Sequence, residues 1–546
     1  MTMLSIAFNV IFEFLLEDPV AYLVRSWLTF FALYGLAVTV AALYFQHGSS
    51  PSLITGIAIG MVMLQYLAGP WIIRWVLDID WYAALPVRNQ QFLKDLCERQ
   101  GIPVPRIGII HGAMPNAFTF GRIQKDASIV VTTGLLEALS PDETDAVIAH
   151  EVGHIKHWDF LTMTMASIVP LLLYYLYSFA RRFKDSHPLT WVAYAAYWVS
   201  QFLVLSLSRT REYWADNFAA HATGDASQLV SGLVKICYGM AKVEREGAWA
   251  KEYGDAGQKA DAQSVSLLAG KIGVMGISSA QAGFVLSGPS PDAASALMRW
   301  DLENPWARVY QLASTHPLTA FRIKALNVEA KRQGRSVVYP LPESTTIQWA
   351  AFPLELVLWA APWICAIGLF SLRSLSARHI IAPAFGAAEL LGAVLLFSWV
   401  ARIAYRYQGR FEMATIRELV ADTTPSQMRP RAVRIEGEIV GRGQPGAFWC
   451  PDLVIKDETG ILFVNDRQTI PLARLALAAG ADQWIGQRVT LEGWYRRGMM
   501  PYVELSRLSG TGNSGQPGAS HRSYSYYIQI GLAVVVSGIL YWFAAR

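Results

Sequence analysis

Two histidines four residues apart, with a glutamate beside the first, stand in the run His150-Glu151-Val152-Gly153-His154. In a helix those imidazoles lie one above the other on one face. Two neutral imidazoles so placed can hold one Zn²⁺, and Glu151 can reach a water on that metal. Such a water is acidified towards neutrality. A nearby carboxylate can take its proton and later hand it to a leaving amine, which is the chemistry of peptide hydrolysis. By residue frequencies alone the pattern arises in roughly one chain in a hundred of this length, and a chance match would have no suitable third ligand. This chain offers one in Arg211-Glu212-Tyr213-Trp214-Ala215-Asp216. Glu212 can complete a His/His/Glu set around one ion per chain, with the fourth position open, the layout of catalytic rather than structural zinc. Asp216, one turn after Glu212, and Asp159, just past His154, are candidates to orient a ligand imidazole from behind. His157 is read as a neighbour of the site or a surface group, because Glu212 already fills the set.

The elements that must position these residues are legible around them. Ser140-Pro141-Asp142-Glu143 reads as a helix start, with Ser140 as N-cap, Pro141 at the first helical position and Glu143 three after the cap. That helix runs almost directly into an apolar run, Leu161 to Ala180. A further apolar run, Leu189 to Ser208, ends three residues before the Arg211-Glu212 pair begins its turn. Both ligand-bearing helices are therefore continuous, or nearly so, with membrane-length segments, and the metal is expected near one membrane face. The loop Arg181 to Lys184 then falls on the opposite side. Asp142, Glu143, Lys156 and Asp159 surround the motif, which places the site at the aqueous boundary rather than in the lipid core.

With these pieces the chain resembles the M48-type integral-membrane zinc metallopeptidases, the HtpX/Ste24-like group, over about residues 80–330. Four stretches carry the resemblance: Pro115-Asn116-Ala117-Phe118, Val131 to His157, Arg211-Glu212 with Ala215-Asp216, and Ser314-Thr315-His316-Pro317 followed by Phe321-Arg322-Ile323. The resemblance implies that Asn116 and Ala117 lie on an exposed edge strand that aligns an extended peptide substrate by strand addition. It also implies that His316 stabilises the oxyanion or touches the substrate, and that the catalytic segments face the cytoplasm. Arg322 is read as a partner for a carboxylate such as Asp216.

Composition agrees with a membrane protein. Of 546 residues 53% are hydrophobic and only 16% charged, with 19 Trp; a soluble chain is typically about a quarter charged. The net charge of +4 is too small to argue for nucleic acid. Cys97, Cys237, Cys365 and Cys450 are far apart and form neither a disulfide framework nor a metal site. No cleavable leader is expected, since the first 17 residues contain Glu13 and Glu17 and lack a basic start.

The expected fold is mainly α: a multi-pass helical bundle with a zincin-like α+β metallopeptidase domain and a small C-terminal β-barrel, OB-like. Residues 1–77 hold an N-terminal transmembrane pair, Trp27 to Phe45 and Leu53 to Ile73. Residues 78–348 are the peptidase domain, interrupted by transmembrane helices at 161–180 and 189–208. Within it, 245–300 reads as a long insertion with no firm period. A second transmembrane pair occupies 349–402 and carries one acid in each span, Glu355 and Glu389. Five short β-like runs in 411–510 make the barrel, 511–525 is a linker and 526–544 a last membrane helix.

The function expected is zinc-dependent endopeptidase action on membrane-associated or misfolded polypeptides, with Glu151 as general base. The location expected is a bacterial inner membrane. The partners are an extended polypeptide and the lipid bilayer, with a possible protein partner through 411–510 and no nucleic acid. Two alternatives stand beside it: a membrane scaffold acting through the barrel with an idle peptidase domain, and a CAAX-type prenyl-peptide processing protease.

Overall fold

The structure is a computed structural model that describes residues 51–112, 115–180, 188–238, 291–342, 345–377, 385–442, 452–465, 481–498, 501–510 and 520–545. The expected span at Trp27 to Phe45, the loop at Arg181 to Lys184, most of the insertion and most of the linker lie outside these residues. In chain order the elements are α1 (Pro51–Val76), α2 (Val87–Gln100), β1 (Arg106–Ile110), β2 (Ala117–Phe120), β3 (Ser128–Thr132), α3 (Thr133–Ala138), α4 (Pro141–Lys156), α5 (Asp159–Ala180), α6 (Pro188–Thr223) and α7 (Ala226–Tyr238). There follow α8 (Pro291–Glu303), α9 (Pro305–Leu312), α10 (Thr319–Arg332), α11 (Phe352–Ala377), α12 (Phe385–Arg406), β4 (Glu412–Met413), α13 (Ile416–Ala421), β5 (Arg431–Arg442), β6 (Leu453–Lys456), β7 (Ile461–Asn465), β8 (Arg488–Arg497), β9 (Pro501–Gly510), β10 (Ser520–Arg522) and α14 (Ser525–Ala545). The chain divides into two compact units. One holds residues 1–240, 267–280 and 309–341, and the other holds the rest.

In the first unit a three-stranded sheet runs in the order β1-β3-β2, with β3 parallel to β1 and antiparallel to β2. Strand β3 is buried along its length and has neighbours on both edges, while among the described residues β2 has one edge unpaired. Phe118 and Phe120 point to one face, where they pack with Leu77, Ile79, Ile110 and Val130. The intervening Thr119 points to the other face, towards α4. Helix α4 begins as the sequence predicts: the Ser140 hydroxyl accepts from the Glu143 N–H at 3.3 Å, the Glu143 carboxylate accepts from the Ser140 N–H at 2.8 Å, and Pro141 sits at the start.

Helices α5 and α6 form an antiparallel-length pair around Ala166, Val169, Leu173, Ala193, Ala196 and Leu207. Among the described residues three helical stretches are long and apolar enough to cross a membrane: Asp159–Ser178, Thr190–Thr223 and Phe352–Ser371. Their outward sides carry exposed Leu161, Met165, Trp191, Trp198 and Phe202, the surface expected of a helix bathed in lipid. At 1.5 Å per residue the 36-residue α6 is about 54 Å long, far more than a bilayer core of roughly 30 Å. Its second half, with Glu212, therefore extends past the apolar layer.

In the second unit α11, α12 and α14 pack together around Cys365, Leu369 and Leu395, with Leu391, Trp399 and Leu540 at the margin. The barrel closes in the order β5-β6-β7-β9-β8 and back to β5. All pairs are antiparallel except β7 with β9. At Gly493 the β8–β9 register shifts, and a Cβ there would lie 2.5 Å from the Glu504 carbonyl oxygen, so the corner admits only glycine.

Residues 291–300, expected to belong to the insertion, instead lie in helix α8. Its apolar residues Ala294, Leu297, Met298 and Trp300 are buried, and the Trp300 indole donates to the Pro425 carbonyl at 2.7 Å. A helix of 13 residues is marginal alone, and tertiary burial of this apolar face stabilises it. Glu355 finds partners from distant sequence: the Trp306 indole and the Ser426 hydroxyl each donate to it at 2.6 Å, and Arg429 lies 3.1 Å away. Glu389, by contrast, is exposed on α12. Cys97, Cys237 and Cys365 are free and buried.

Two expectations about stability follow. In the barrel unit, Arg496 and Glu504 are fully buried and paired at 2.7 Å. Arg496 also donates to the Gln427 carbonyl, and Tyr407 donates to Glu504 while accepting from Gln529 at 2.6 Å. Arg496→Met removes the nearest cation from a buried carboxylate and should cost about 3–5 kcal/mol, whereas Arg496→Met with Glu504→Leu should regain most of it. Thermal unfolding in detergent reads both, and equal losses in the single and double variants would contradict the pairing. At the start of α4, burial pushes the Glu143 carboxyl up, but the Lys235 ammonium at 2.7 Å, the Ser231 hydroxyl and the Ser140 N–H outweigh it and leave the group below its usual value of 4.5. A carboxylate depressed in the fold stabilises above its unfolded value, and that contribution fades as pH falls through the folded one. Glu143→Gln should therefore lower the melting temperature at pH 6–7 and converge with the parent as pH drops below about 4.

Candidate metal centre

Helix α4 supplies His150 and His154, and α6 supplies Glu212 and Asp216. The two helices approach closely because residue 153 has no side chain. A Cβ on Gly153 would meet the Ala215 Cα and the Phe218 ring at 3.2 Å, so glycine there sets how near Glu212 comes to the histidines. His150 is fully buried, and Glu151 and Glu212 nearly so.

The back nitrogen of each imidazole meets a carboxylate. His150 Nδ1 lies 3.0 Å from Asp216 Oδ1, and His154 Nδ1 lies 2.6 Å from Asp159 Oδ2. An ionised carboxylate only accepts hydrogen bonds, so each Nδ1 carries the proton and each Nε2 presents a lone pair. Those two Nε2 atoms are 3.1 Å apart. Glu212 Oε2 is 3.6 Å from His150 Nε2, and Glu212 Oε1 is 3.7 Å from His154 Nε2. Three electron-pair donors facing one another in a buried place repel unless a cation lies among them. A tetrahedral ion bonded at 2.0–2.1 Å would hold its donors about 3.3 Å apart, so the set fits zinc. Among the described residues this is the one group of three or more His, Cys, Asp or Glu side chains with that convergence.

Arginines lock the carboxylates in turn. Arg322 on α10 grips Asp216 with two hydrogen bonds, at 2.8 and 2.6 Å, and reaches Glu212 Oε2 at 3.3 Å. The adjacent carboxylates raise its pKa further against the pull of burial. Arg211 pairs with Asp159, donates to the His157 carbonyl and lies 4.6 Å above the Trp214 ring. His157 stacks on Trp214 with centroids 4.0 Å apart. Burial, then the charge of Arg211, pushes the His157 pKa down to about 3; the converging donor group consists of His150, His154 and Glu212 and does not include His157. Between α4 and α5 the chain turns at Trp158, whose φ of 58° is the left-handed value usually left to glycine. That turn brings Asp159 back onto His154.

His316 comes from the segment between α9 and α10. Arg209 donates to the Ser314 carbonyl at 2.8 Å, and the Ser314 hydroxyl bridges to the main chain of His316. The imidazole Nδ1 lies 3.1 Å from Glu212 Oε1. Asn116 and Ala117, expected on an exposed edge, are instead buried, Asn116 just before β2 and Ala117 as its first residue, because Asn116 bonds to Thr132 on β3. The Asn116 carbonyl accepts from the Thr132 N–H at 3.0 Å, and its side-chain oxygen accepts from the Ala117 N–H at 2.9 Å.

Of the residues that the sequence nominated, His150, His154, Glu212, Asp216, Asp159 and His316 meet around one centre with Glu151 on the same helix, whereas Asn116 and Ala117 bond to Thr132 and to each other. Three contributors were not nominated. Gly153 stands inside the motif but has no donor atom. Arg211 was seen only as the residue before Glu212. Thr119, three residues after Asn116, donates from its hydroxyl to Glu151 Oε2 at 2.6 Å, a contact that no spacing rule reveals.

Comparison with known proteins gives the same region. The profile of peptidase family M48 matches residues 87–330, a range that includes α5 and α6. The chain is 34% identical over 221 residues to a protease HtpX homolog of Methanothermobacter thermautotrophicus, covering 40% of this chain and 85% of that one. It is 35% identical over 237 residues to a protease HtpX homolog of Moorella thermoacetica, covering 40% and 78%. Among solved structures the crystal structure of S. mikatae Ste24p aligns with 40% of this chain and 58% of that chain, at 19% identity and a TM-score of 0.28.

Glu212→Ala should abolish tight zinc binding, because two imidazoles alone leave an under-coordinated ion. Elemental analysis of the purified variant checks this, and zinc at the parent's stoichiometry would remove Glu212 from the ligand set.

Proposed function

The chain belongs to peptidase family M48, and from that premise we propose that it is a membrane-embedded zinc endopeptidase acting on membrane-associated or misfolded polypeptides. One observation carries the reading: the lone pairs of His150 and His154 and the carboxylate of Glu212 converge within 3.7 Å, with Glu151 on the same helix beside them. Protease and membrane protein follow from family and composition, and the residue roles below are our reading of the geometry.

When bound at His150, His154 and Glu212, zinc supplies Lewis acidity, which polarises a scissile carbonyl and acidifies water. Glu151 is the general base, taking the proton of the attacking water and passing it to the leaving amine. Its burial keeps bulk water from competing for that proton. Asp216 and Asp159 hold the two imidazoles in the tautomer that leaves Nε2 free. His316 is held over the site by Glu212 at Nδ1, and with both ring nitrogens protonated its Nε2–H would donate to a developing oxyanion or to the substrate.

Asn116 and Ala117 open the strand on which an extended substrate would lie. The Asn116 carbonyl turns towards β3, so by alternation the main-chain groups of residues 117 and 119 turn to the unpaired edge. A peptide adding there as a further strand would run past Glu151. The placement of the ligand helices as continuations of α5 and α6 supports a site beside the headgroups, reachable by a membrane-bound substrate. We assign the membrane as a bacterial inner membrane with the site on the cytoplasmic face. The strand order of the barrel supports an OB-like reading, with a protein rather than a nucleic acid as its partner. A scaffold with an idle peptidase part is disfavoured by the complete donor set and its carboxylate and arginine supports.

Glu151→Gln should retain zinc at one per chain and lower chelator-sensitive casein cleavage in detergent by about 10²–10⁴-fold. Full activity with that substitution would refute the mechanism.

A further inference from the structure

We propose that Thr119 is a positioning residue for Glu151, and that it links occupancy of the β2 edge to the orientation of the general base. This rests on the reading of Glu151 given above. The Thr119 hydroxyl donates to Glu151 Oε2 at 2.6 Å and approaches the Glu151 carbonyl at 3.4 Å. Among the described residues no other hydrogen bond to the Glu151 carboxylate is formed, so Oε2 is held and Oε1 is the oxygen left to receive a proton.

The same residue faces the substrate side with its backbone. Residues 116, 118 and 120 turn their main-chain groups to β3, and 117 and 119 turn theirs outward. The Ala117 N–H is taken by the Asn116 side chain and Ala117 is fully buried, which leaves the N–H and carbonyl of the half-buried Thr119 as the main-chain groups at the edge that is unpaired among the described residues. A peptide pairing with that edge would bond to the main chain of Thr119. Threonine is branched at Cβ and therefore stiff about χ1, so fixing its backbone fixes the direction of its hydroxyl. Phe118 and Phe120, anchored in the apolar cluster on the opposite face, hold the strand's facing and keep Thr119 turned towards α4. Substrate pairing and base alignment thus pass through one side chain. Serine preserves the hydroxyl at this position, whereas valine preserves the shape without it.

The test uses the full chain in detergent, with zinc content, melting temperature, kcat and KM measured for T119V, T119S, E151Q and the T119V/E151Q pair. The expectation for T119V is zinc and melting temperature as in the parent, KM within about threefold, and kcat lower by about 10- to 100-fold. T119S should recover kcat to within about fivefold of the parent, and T119V should add nothing in the E151Q background. Unchanged kcat in T119V overturns the proposal, as does a T119V loss that T119S shares, or one that comes with lost zinc or a lower melting temperature. An active E151Q instead overturns the general-base reading itself, so the two failures are separate results.

Discussion

Three electron-pair donors are held within 3.7 Å of one another in a place nearly without water. That arrangement is unfavourable on its own, because lone pairs of two neutral imidazoles and a carboxylate repel and have lost their hydration. It persists because each donor is fixed from behind. Asp216 and Asp159 hold the imidazoles, Arg322 and Arg211 hold the aspartates, and His316 and Arg322 hold Glu212. The surrounding unit is thus organised to keep apart from solvent a cluster that only a cation satisfies. Such preorganisation is what a catalytic metal site needs, since little rearrangement remains to be made when the reaction begins.

The same constraint explains the joint between α4 and α5. A straight continuation of α4 would carry Asp159 away from His154. The left-handed Trp158 breaks the helix and returns the next carboxylate to the imidazole, at a strain of about 1–2 kcal/mol for a non-glycine residue. It also marks where the apolar helix begins, because α5 starts at Asp159 and is apolar from there on. Helix α6 solves the converse problem without a break, running from an apolar half into the half that bears Glu212 and Asp216. The centre is consequently tied to two membrane-length helices by main chain alone.

The barrel unit obeys a parallel rule about buried charge. Glu504 is satisfied by Arg496 and Tyr407, and Glu355 by Trp306, Ser426 and Arg429. In both cases a carboxylate that would be costly alone is surrounded by donors from distant parts of the chain. This unit lies largely outside the residues that match the family profile. Its closed five-strand order leaves no unpaired edge in the cycle, which suits a module that must not aggregate through strand pairing.

Much of the centre could be read from the chain by local rules. The four-residue spacing of His150 and His154, the capping box at Ser140 and Glu143, the turn from Glu212 to Asp216 and the membrane-length runs all follow from helix geometry, which acts over a few residues. The five β-like runs of the barrel were legible by the same alternation. Helix α8 was not, because it follows an Ala/Gly/Ser-rich stretch with no firm period, and contacts with the distant Pro425 segment hold it. Nor were the partners of Glu355, which lie 49 to 74 residues away in sequence. The sequence by itself determined which side chains can bind a metal and which helices carry them, because donor chemistry and a 3.6-residue period are local properties. Only the tertiary structure decided that α6 packs against Gly153, that Arg322 clamps Asp216 and Glu212 together, and that Thr119 reaches Glu151. Those are distances between segments far apart in the chain, and no local rule sets them.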